Sequence, residues 1–183
     1  MKRRISSTVG VAVLLVVLAA CGQTAGGRGR LGPGITSPAT VTKSHFGTNR
    51  PFLFGGFGVC SQHEPVQVVS VEPDHTSGPI KVEQAGLMTV DSATRGTFPL
   101  IAAQSGVLPP EYQTPTGFRP PPCTSPSNAQ VVLQVRRIGA QTAGVLGVRV
   151  TYLDERGARH VQRQPLNYIL CGEQPNPTLD KYC

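Results

Sequence analysis

Sulfur and imidazole side chains in the sequence raise the question of a bound metal ion. Cys60 and His63 stand close together in the stretch CSQH, and thiolate, thioether and imidazole groups are the ligands that copper sites use. The other candidate ligands are His45, His75 and Met88. A blue-copper site needs a Cys closely followed by His and Met, whereas Cys171 is followed by GEQPNP. No C-x-x-C pair is present for zinc. We therefore predict no metal site and no cofactor.

A second stretch, EPDHTSGP, contains the groups of a catalytic triad in Asp74, His75 and Ser77. A triad is defined by how such groups meet in space, and adjacency along the chain does not create that geometry. Asp and Ser beside Gly78 and Pro79 are also typical of a turn. The chain contains no G-x-S-x-G, H-E-x-x-H or S-x-x-K sequence. We predict no catalytic residues, and an envelope hydrolase stays open as an alternative.

The cysteines other than Cys21 indicate disulfide chemistry. Cys60, Cys123, Cys171 and Cys183 form an even set, which in an exported domain suggests two disulfides. Four cysteines allow three pairings, and the sequence alone does not choose among them. We favour Cys60 with Cys123, which closes a long loop, and Cys171 with Cys183, which would fasten the Pro-rich C-terminal segment to the last strand.

The N-terminus has the three regions of a secretory signal peptide. Lys2, Arg3 and Arg4 form a positive cluster, residues 9–20 are apolar, and small residues stand at the end of the apolar run. The run is too short for a transmembrane helix, which needs about 20 apolar residues. We predict a signal peptide over residues 1–20.

Leu18-Ala19-Ala20-Cys21 resembles the lipobox of bacterial lipoproteins. The resemblance implies that the Cys21 thiol receives a diacylglycerol, that cleavage occurs just before Cys21, and that acyl chains such as palmitate hold the protein on the extracytoplasmic face of the cell membrane. On lipobox and composition, the chain resembles the small exported lipoproteins of high-GC Gram-positive bacteria. Two or more acyl chains give stable anchoring.

The charge of the mature chain argues against a nucleic-acid partner. Removal of residues 1–20 lowers the formal net charge from +7 to +4. The remaining cations are scattered, with no run longer than Arg136-Arg137, and the chain has no Trp. A nucleic-acid surface would need a concentrated basic patch with stacking aromatic rings.

The chain after Cys21 divides into a linker and one domain. Residues 21–44 are rich in Gly, Ser, Thr and Pro, and such a composition predicts a flexible linker. Residues 45–183 show short apolar runs between turn signals, which predict strands at 66–72, 80–90, 97–103, 129–138, 145–153 and 166–171. DERGA at 154–158 predicts a bulged hairpin with a positive φ at Gly157, followed by RHVQRQ as the partner strand.

These strands predict an all-β fold with low helix content, as an antiparallel, disulfide-linked β-sandwich. Its architecture is compatible with an immunoglobulin-like arrangement, although the core Trp of that family is absent. The predicted domain, 45–183, has the size of a single folding unit.

Two groups of residues are candidates for a binding surface. Phe52, Phe54 and Phe57 lie in a Gly-rich stretch, where they form either core or an exposed apolar patch. The long irregular stretch 104–128 forms either a stiff crossover or a recognition loop. As a recognition loop it would present Tyr112, Phe118 and Arg119.

The sequence predicts a membrane-anchored envelope lipoprotein with a non-catalytic binding or scaffolding β domain. Its partners are then the membrane, through Cys21, and an envelope protein. The alternatives are an envelope hydrolase, which needs a cleft with converging catalytic groups, and a metal or small-ligand carrier, which needs a pocket of several hundred cubic ångströms.

Overall fold

The computed structural model describes residues 29–32, 37–44, 47–91 and 103–183, and this part of the chain is mostly β-strand. The strands are β1 (Gly29–Gly32), β2 (Ala39–Lys43), β3 (Pro51–His63), β4 (Gln67–Ser77), β5 (Ile80–Asp91), β6 (Ala103–Ser105), β7 (Ser127–Arg137), β8 (Ala143–Leu153) and β9 (Arg159–Leu170). A 3₁₀ turn, Asp180–Tyr182, lies near the C-terminus. Among the described residues, no helix is long and apolar enough to cross a membrane.

The strands form two sheets that share one core. The first sheet has the order β1-β3-β7-β5, with β6 paired to β3, and the second has the order β2-β9-β8-β4. If β1, β3, β4, β5, β7, β8 and β9 are lettered A to G, the sheets are A-B-E-D and G-F-C. That is the strand order of an immunoglobulin-type sandwich. The predicted fold class, an all-β sandwich, is confirmed.

Alternating residues of β7 and β8 fill the core as the sequence predicts. Val131, Leu133 and Val135 are completely buried, and they belong to the same cluster as Val148 and Val150 of the opposite sheet. Apolar side chains recur at every second position because successive residues of a strand point to opposite faces of the sheet.

A hairpin joins β8 to β9, as DERGA predicts. Leu153 lies opposite Arg159, so the stretch RHVQRQ forms the first half of β9 and is the expected partner of β8. Gly157 has a φ of 76°, which only Gly adopts without strain. The predicted strands at 66–72, 80–90, 129–138, 145–153 and 166–171 correspond to β4, β5, β7, β8 and the second half of β9. The predicted strand at 97–103 lies outside the described residues except for Ala103.

Two strands form inside the segment that composition predicts to be linker. β1 pairs antiparallel with the end of β3, and β2 pairs parallel with β9. Leu31 of β1 is buried at 5% exposure. The hydrogen bonds to the partner strands and the burial of Leu31 offset the entropy lost when this segment is ordered. The partner strands, β3 and β9, lie far from β1 and β2 in the sequence, so local composition does not reveal the pairing. The fold therefore begins before the predicted boundary at residue 45. The predicted signal peptide and Cys21 lie outside the described residues.

The long segment between β6 and β7 crosses the open side of the sandwich. Gln113 exchanges backbone hydrogen bonds with Leu87 of β5. Gly117 and Phe118 bond to Val68 of β4 in the other sheet. The segment therefore covers the edges of both sheets, which leaves fewer unpaired backbone groups on each edge.

Both disulfides have the favoured connectivity, Cys60 with Cys123 and Cys171 with Cys183. The first joins β3 to the segment before β7, instead of joining the two sheets as in antibody domains. The second links Cys183, in the C-terminal segment, to Cys171, which directly follows β9. Leu179 of that C-terminal segment is fully buried.

Candidate binding surface at the loop end

Three connections meet at one end of the sandwich, which we call the loop end. They are the β3–β4 turn (residues 64–66), the segment 119–124 and the β8–β9 hairpin (154–158). β1 enters the fold at the same end, since Gly29 lies opposite His63. A Cβ atom built on Gly29 would lie 3.1 Å from Val66 Cγ1 and 3.3 Å from Asp154 Cβ. Loops supported by a rigid sheet are where binding surfaces are most often built.

One groove of about 360 Å³ opens between the end of β3 and the segment that carries Cys123. Its lining includes Ser61, Gln62, His63, Glu64 and Thr124. The Cys60–Cys123 disulfide fixes one wall to the other. The Ser61 N–H donates to the Pro121 carbonyl, and the Cys123 N–H donates to the Ser61 carbonyl. Both walls of this groove are therefore held in place before any ligand arrives.

His63 has a left-handed backbone conformation, with a φ of 64°. This region costs a non-glycine residue of order 1 kcal/mol, and such residues cluster at functional sites. The strained residue turns the chain from β3 into the β3–β4 connection. Its exposed side chain is thereby placed in the wall of the groove.

A second groove, of about 440 Å³, lies on the other side of Pro65. Arg119, Asp154 and Glu155 line it together with Gln67. The two grooves share Pro65 as a common rim. Their combined lining offers cationic, anionic and imidazole groups to a ligand that covers the loop end.

Asp154 keeps the hairpin at the loop end in shape. Its Oδ1 accepts the backbone N–H groups of Arg156 at 3.0 Å and Ala158 at 2.8 Å. Its Oδ2 lies 2.9 Å from His160 Nε2, and the His160 ring stacks on Tyr152 with centroids 5.3 Å apart. The hydrogen bond from His160 and those from the two backbone amides lower the pKa of the Asp154 carboxyl. Asp154 is thus a structural carboxylate, already committed within the hairpin.

The remaining charges at the loop end are mainly cationic. Arg30, Arg119, Arg156 and Arg159 are exposed, and none of them forms an ion pair with another described residue. The carboxylates at this end besides Asp154 are Glu64 and Glu155. The loop end therefore carries four exposed guanidinium groups, of which that of Arg119 lines the second groove.

The predicted aromatic binding surface is wrong for Phe52, Phe54 and Phe57, which belong to the core. Phe52 and Phe54 have 0% exposure and Phe57 has 5%. Phe54 stacks on Tyr168 of the opposite sheet, with centroids 4.5 Å apart. The register shifts between Phe54 and Phe57, and this bulge keeps Phe57 on the inner face although its spacing from Phe54 is odd.

The recognition-loop prediction also fails for Tyr112 and Phe118, which are buried at 9% and 6% exposure. Tyr112 packs with Leu53 and Val132 on the outer face of the first sheet. Its hydroxyl donates to Gln130 Oε1 at 2.6 Å, and burial raises its pKa to about 12. The apolar rings turn inward because the segment lies flat against the sheets. Of this group only Arg119 is exposed, and it lines the second groove.

The structure separates the residues considered as metal ligands. Cys60 is in a disulfide, and His63 lies at the loop end. His75 is on β4 in the second sheet, whereas Met88 packs against the outer face of the first sheet. His45 lies outside the described residues. In the described part of the chain, no three His, Cys, Asp or Glu side chains come together as a metal site would require.

Asp74, His75 and Ser77 do not form a triad. Asp74 Oδ1 lies 3.5 Å from Arg149 Nε and 3.6 Å from Arg163 Nε. The His75 side chain is 76% exposed, and its Nε2 is 3.8 Å from Asp74 Oδ2. Ser77 Oγ instead accepts a hydrogen bond from the Asn176 amide. The Ser77 hydroxyl and the His75 imidazole therefore interact with different residues.

No family model, curated protein or solved structure matches this chain. The loop end must therefore be interpreted from its own residues. The sequence patterns indicated Arg119 and the 154–158 hairpin, and they indicated His63 only as a metal ligand. They did not indicate Glu64 or Arg156. Turn signals locate each loop, but the meeting of three loops depends on the strand order.

Proposed function

We propose that this protein is a lipid-anchored binding domain on the extracytoplasmic face of the cell membrane, and that the loop end is its binding surface. The observation that carries the binding role is the pair of adjoining grooves at the loop end. Charged side chains line them, and the Cys60–Cys123 disulfide braces one of them. The lipobox-like Leu18-Ala19-Ala20-Cys21 supports the anchor. The two disulfides support an oxidising compartment.

The anchor is tested by Cys21→Ala in cells. Wild-type protein should fractionate with membranes, and mass spectrometry of its N-terminal peptide should show diacylglycerol on Cys21. Cys21→Ala should leave an unprocessed precursor or a released protein, because the thiol that accepts the lipid is gone. Ala19→Gly, which keeps a small residue in the lipobox, is the matched control and should behave as wild type. Membrane fractionation of Cys21→Ala that equals wild type would contradict the anchor.

The binding role is tested by photo-crosslinking in intact cells. A photoreactive amino acid at position 119 should capture an envelope component, because Arg119 lines the second groove. The same amino acid at position 81 is the control, since Lys81 is exposed at the opposite end of the sandwich. Equal capture from both positions would show that the loop end has no preferred partner.

The size of the grooves favours a second candidate, a carrier of small polar ligands. Ligand cavities commonly measure about 300–1,000 Å³, and the two grooves fall in this range at about 360 and 440 Å³. A carrier should release a small molecule on denaturation of protein purified from cells, whereas a binding module for a macromolecule should not. Mass spectrometry of the denatured supernatant separates the two.

A further inference from the structure

The path of the chain sets which end of the sandwich lies near the anchor. Gly29 is the first residue of β1 and pairs with His63, so the chain enters the fold at the loop end. Cys21 precedes Gly29 by eight residues. At a maximum of about 3.5 Å per residue, this stretch spans at most about 28 Å in any conformation.

The opposite end of the sandwich lies farther away than this stretch can reach. β3 runs from His63 at the loop end to Pro51 at the opposite end, a length of 13 residues. With a rise of about 3.3 Å per residue, β3 is roughly 40 Å long. With Cys21 lipidated, the stretch is therefore too short for the domain to stand with the opposite end on the bilayer.

The side chains at the loop end suit a surface of phosphate groups. Arg30, Arg119, Arg156 and Arg159 are exposed there without ion-pair partners among the described residues. Guanidinium groups bind phosphate oxygens in a bidentate manner. Asp154 remains an anion, since its hydrogen bonds with His160 and two amides favour the carboxylate. The opposing charges are therefore Asp154, Glu64 and Glu155, three against the four arginines.

We infer that the loop end docks on the phospholipid headgroup layer of the bilayer that holds Cys21, with its arginines paired to lipid phosphates. This inference rests on the proposed lipid anchor and names the partner of the proposed binding surface. The domain then stands with its loop end on the membrane and its opposite end, around Arg50 and Lys81, directed away from it.

The test uses full-length lipidated protein, purified from membranes and reconstituted in vesicles of phosphatidylcholine and phosphatidylglycerol. A fluorophore is attached through a non-natural amino acid at position 155 or, in a separate protein, at position 81, which leaves the native cysteines intact. A nitroxide on the lipid headgroups quenches nearby fluorophores. We expect strong quenching at position 155 and little at position 81.

Charge variants test the role of the arginines. Arg119→Gln/Arg156→Gln should lower the ratio of docked to undocked protein roughly 25-fold on anionic vesicles, because each basic side chain contributes about a factor of five at such a surface. Arg50→Gln/Lys81→Gln removes two exposed cations from the opposite end and should leave quenching at position 155 unchanged. If Arg119→Gln/Arg156→Gln does not fold, amide hydrogen exchange of the wild type tests whether the loop end contacts the membrane. The amides of residues 63, 64, 66 and 154–158 should be more protected on vesicles than in detergent.

Each outcome separates the inference from the anchor on which it rests. Lipid on Cys21 together with equal quenching at positions 155 and 81 would overturn docking by the loop end and leave the anchor standing. Absence of lipid on Cys21 would overturn the proposed function and this inference together. Equal loss of quenching in both charge variants would show that the arginines are not the contact.

Discussion

Removal of the Cys60–Cys123 disulfide should destabilise the domain more than removal of Cys171–Cys183. Cys60→Ala/Cys123→Ala frees a loop of 63 residues, and Cys171→Ala/Cys183→Ala frees a loop of 12 residues. A disulfide restricts the unfolded chain more when it closes a longer loop. The two double variants thus form a matched pair, each replacing two cysteines with alanine.

The expected magnitudes follow from the loop lengths. The chain-entropy relation gives about 4 kcal/mol of unfolding free energy for the longer loop and about 3 kcal/mol for the shorter one at 25 °C. The native fold should survive the first change, because backbone hydrogen bonds between Ser61 and the 121–123 segment remain. The C-terminal segment should stay in place after the second, since Leu179 is fully buried.

Urea denaturation of the wild type and both double variants measures these differences. The midpoint should fall in both variants and fall further in Cys60→Ala/Cys123→Ala. The m-value should rise in the same order, since the unfolded chain becomes more expanded as a longer loop is released. A larger loss for Cys171→Ala/Cys183→Ala, or no loss for either, would refute this reasoning.

Three other predictions concern substitutions of single residues. Tyr168→Phe should lower the unfolding free energy by about 1–3 kcal/mol in urea denaturation, because it leaves the buried Gly55 carbonyl without the 2.8 Å hydrogen bond that joins the sheets; an unchanged midpoint would contradict this. Asp154 has a lowered pKa in the folded state, so the stability it contributes is present above the normal Asp pKa of about 3.9 and is lost as the pH falls through the folded value. The difference in melting temperature between wild type and Asp154→Asn should therefore shrink below about pH 4, and a constant difference would contradict the argument. Gly78→Ala should cost more unfolding free energy than Gly157→Ala: both positions have positive φ, but a Cβ at Gly78 would lie 2.5 Å from a backbone oxygen and one at Gly157 would meet nothing within 4 Å. Equal urea midpoints for Gly78→Ala and Gly157→Ala would show that the contact between the new Cβ and the backbone oxygen is relieved at no cost in unfolding free energy.

Local sequence patterns predict the structure correctly where it depends on residues that are neighbours in the sequence. Alternation in β7 and β8 identified the core-facing residues, and DERGA located the hairpin with its positive φ at Gly157. The favoured cysteine pairing was also correct. Strand periodicity and turn chemistry act over a few residues, so one sequence displays them directly.

Contacts between residues that are distant in the sequence explain where the structure differs from the sequence-based predictions. β1 and β2 have the composition of a linker, and only their pairing with β3 and β9 makes them strands. The inward direction of Phe57 depends on a bulge in β3 that the spacing of the phenylalanines does not show. Tyr112 and Phe118 are buried because their segment lies across two sheet edges.

The sequence by itself determined the all-β class, the main strands and the cysteines available for bonding, because these follow from side-chain type and short-range spacing. It also carries the lipobox-like stretch that ends at Cys21, from which we propose the anchor. Only the tertiary structure decided that residues 64–66, 119–124 and 154–158 meet at one end, beside the entry of β1. The order of strands in the two sheets brings these loops together, and long-range backbone pairing sets that order. The candidate binding surface therefore exists only in the folded sandwich.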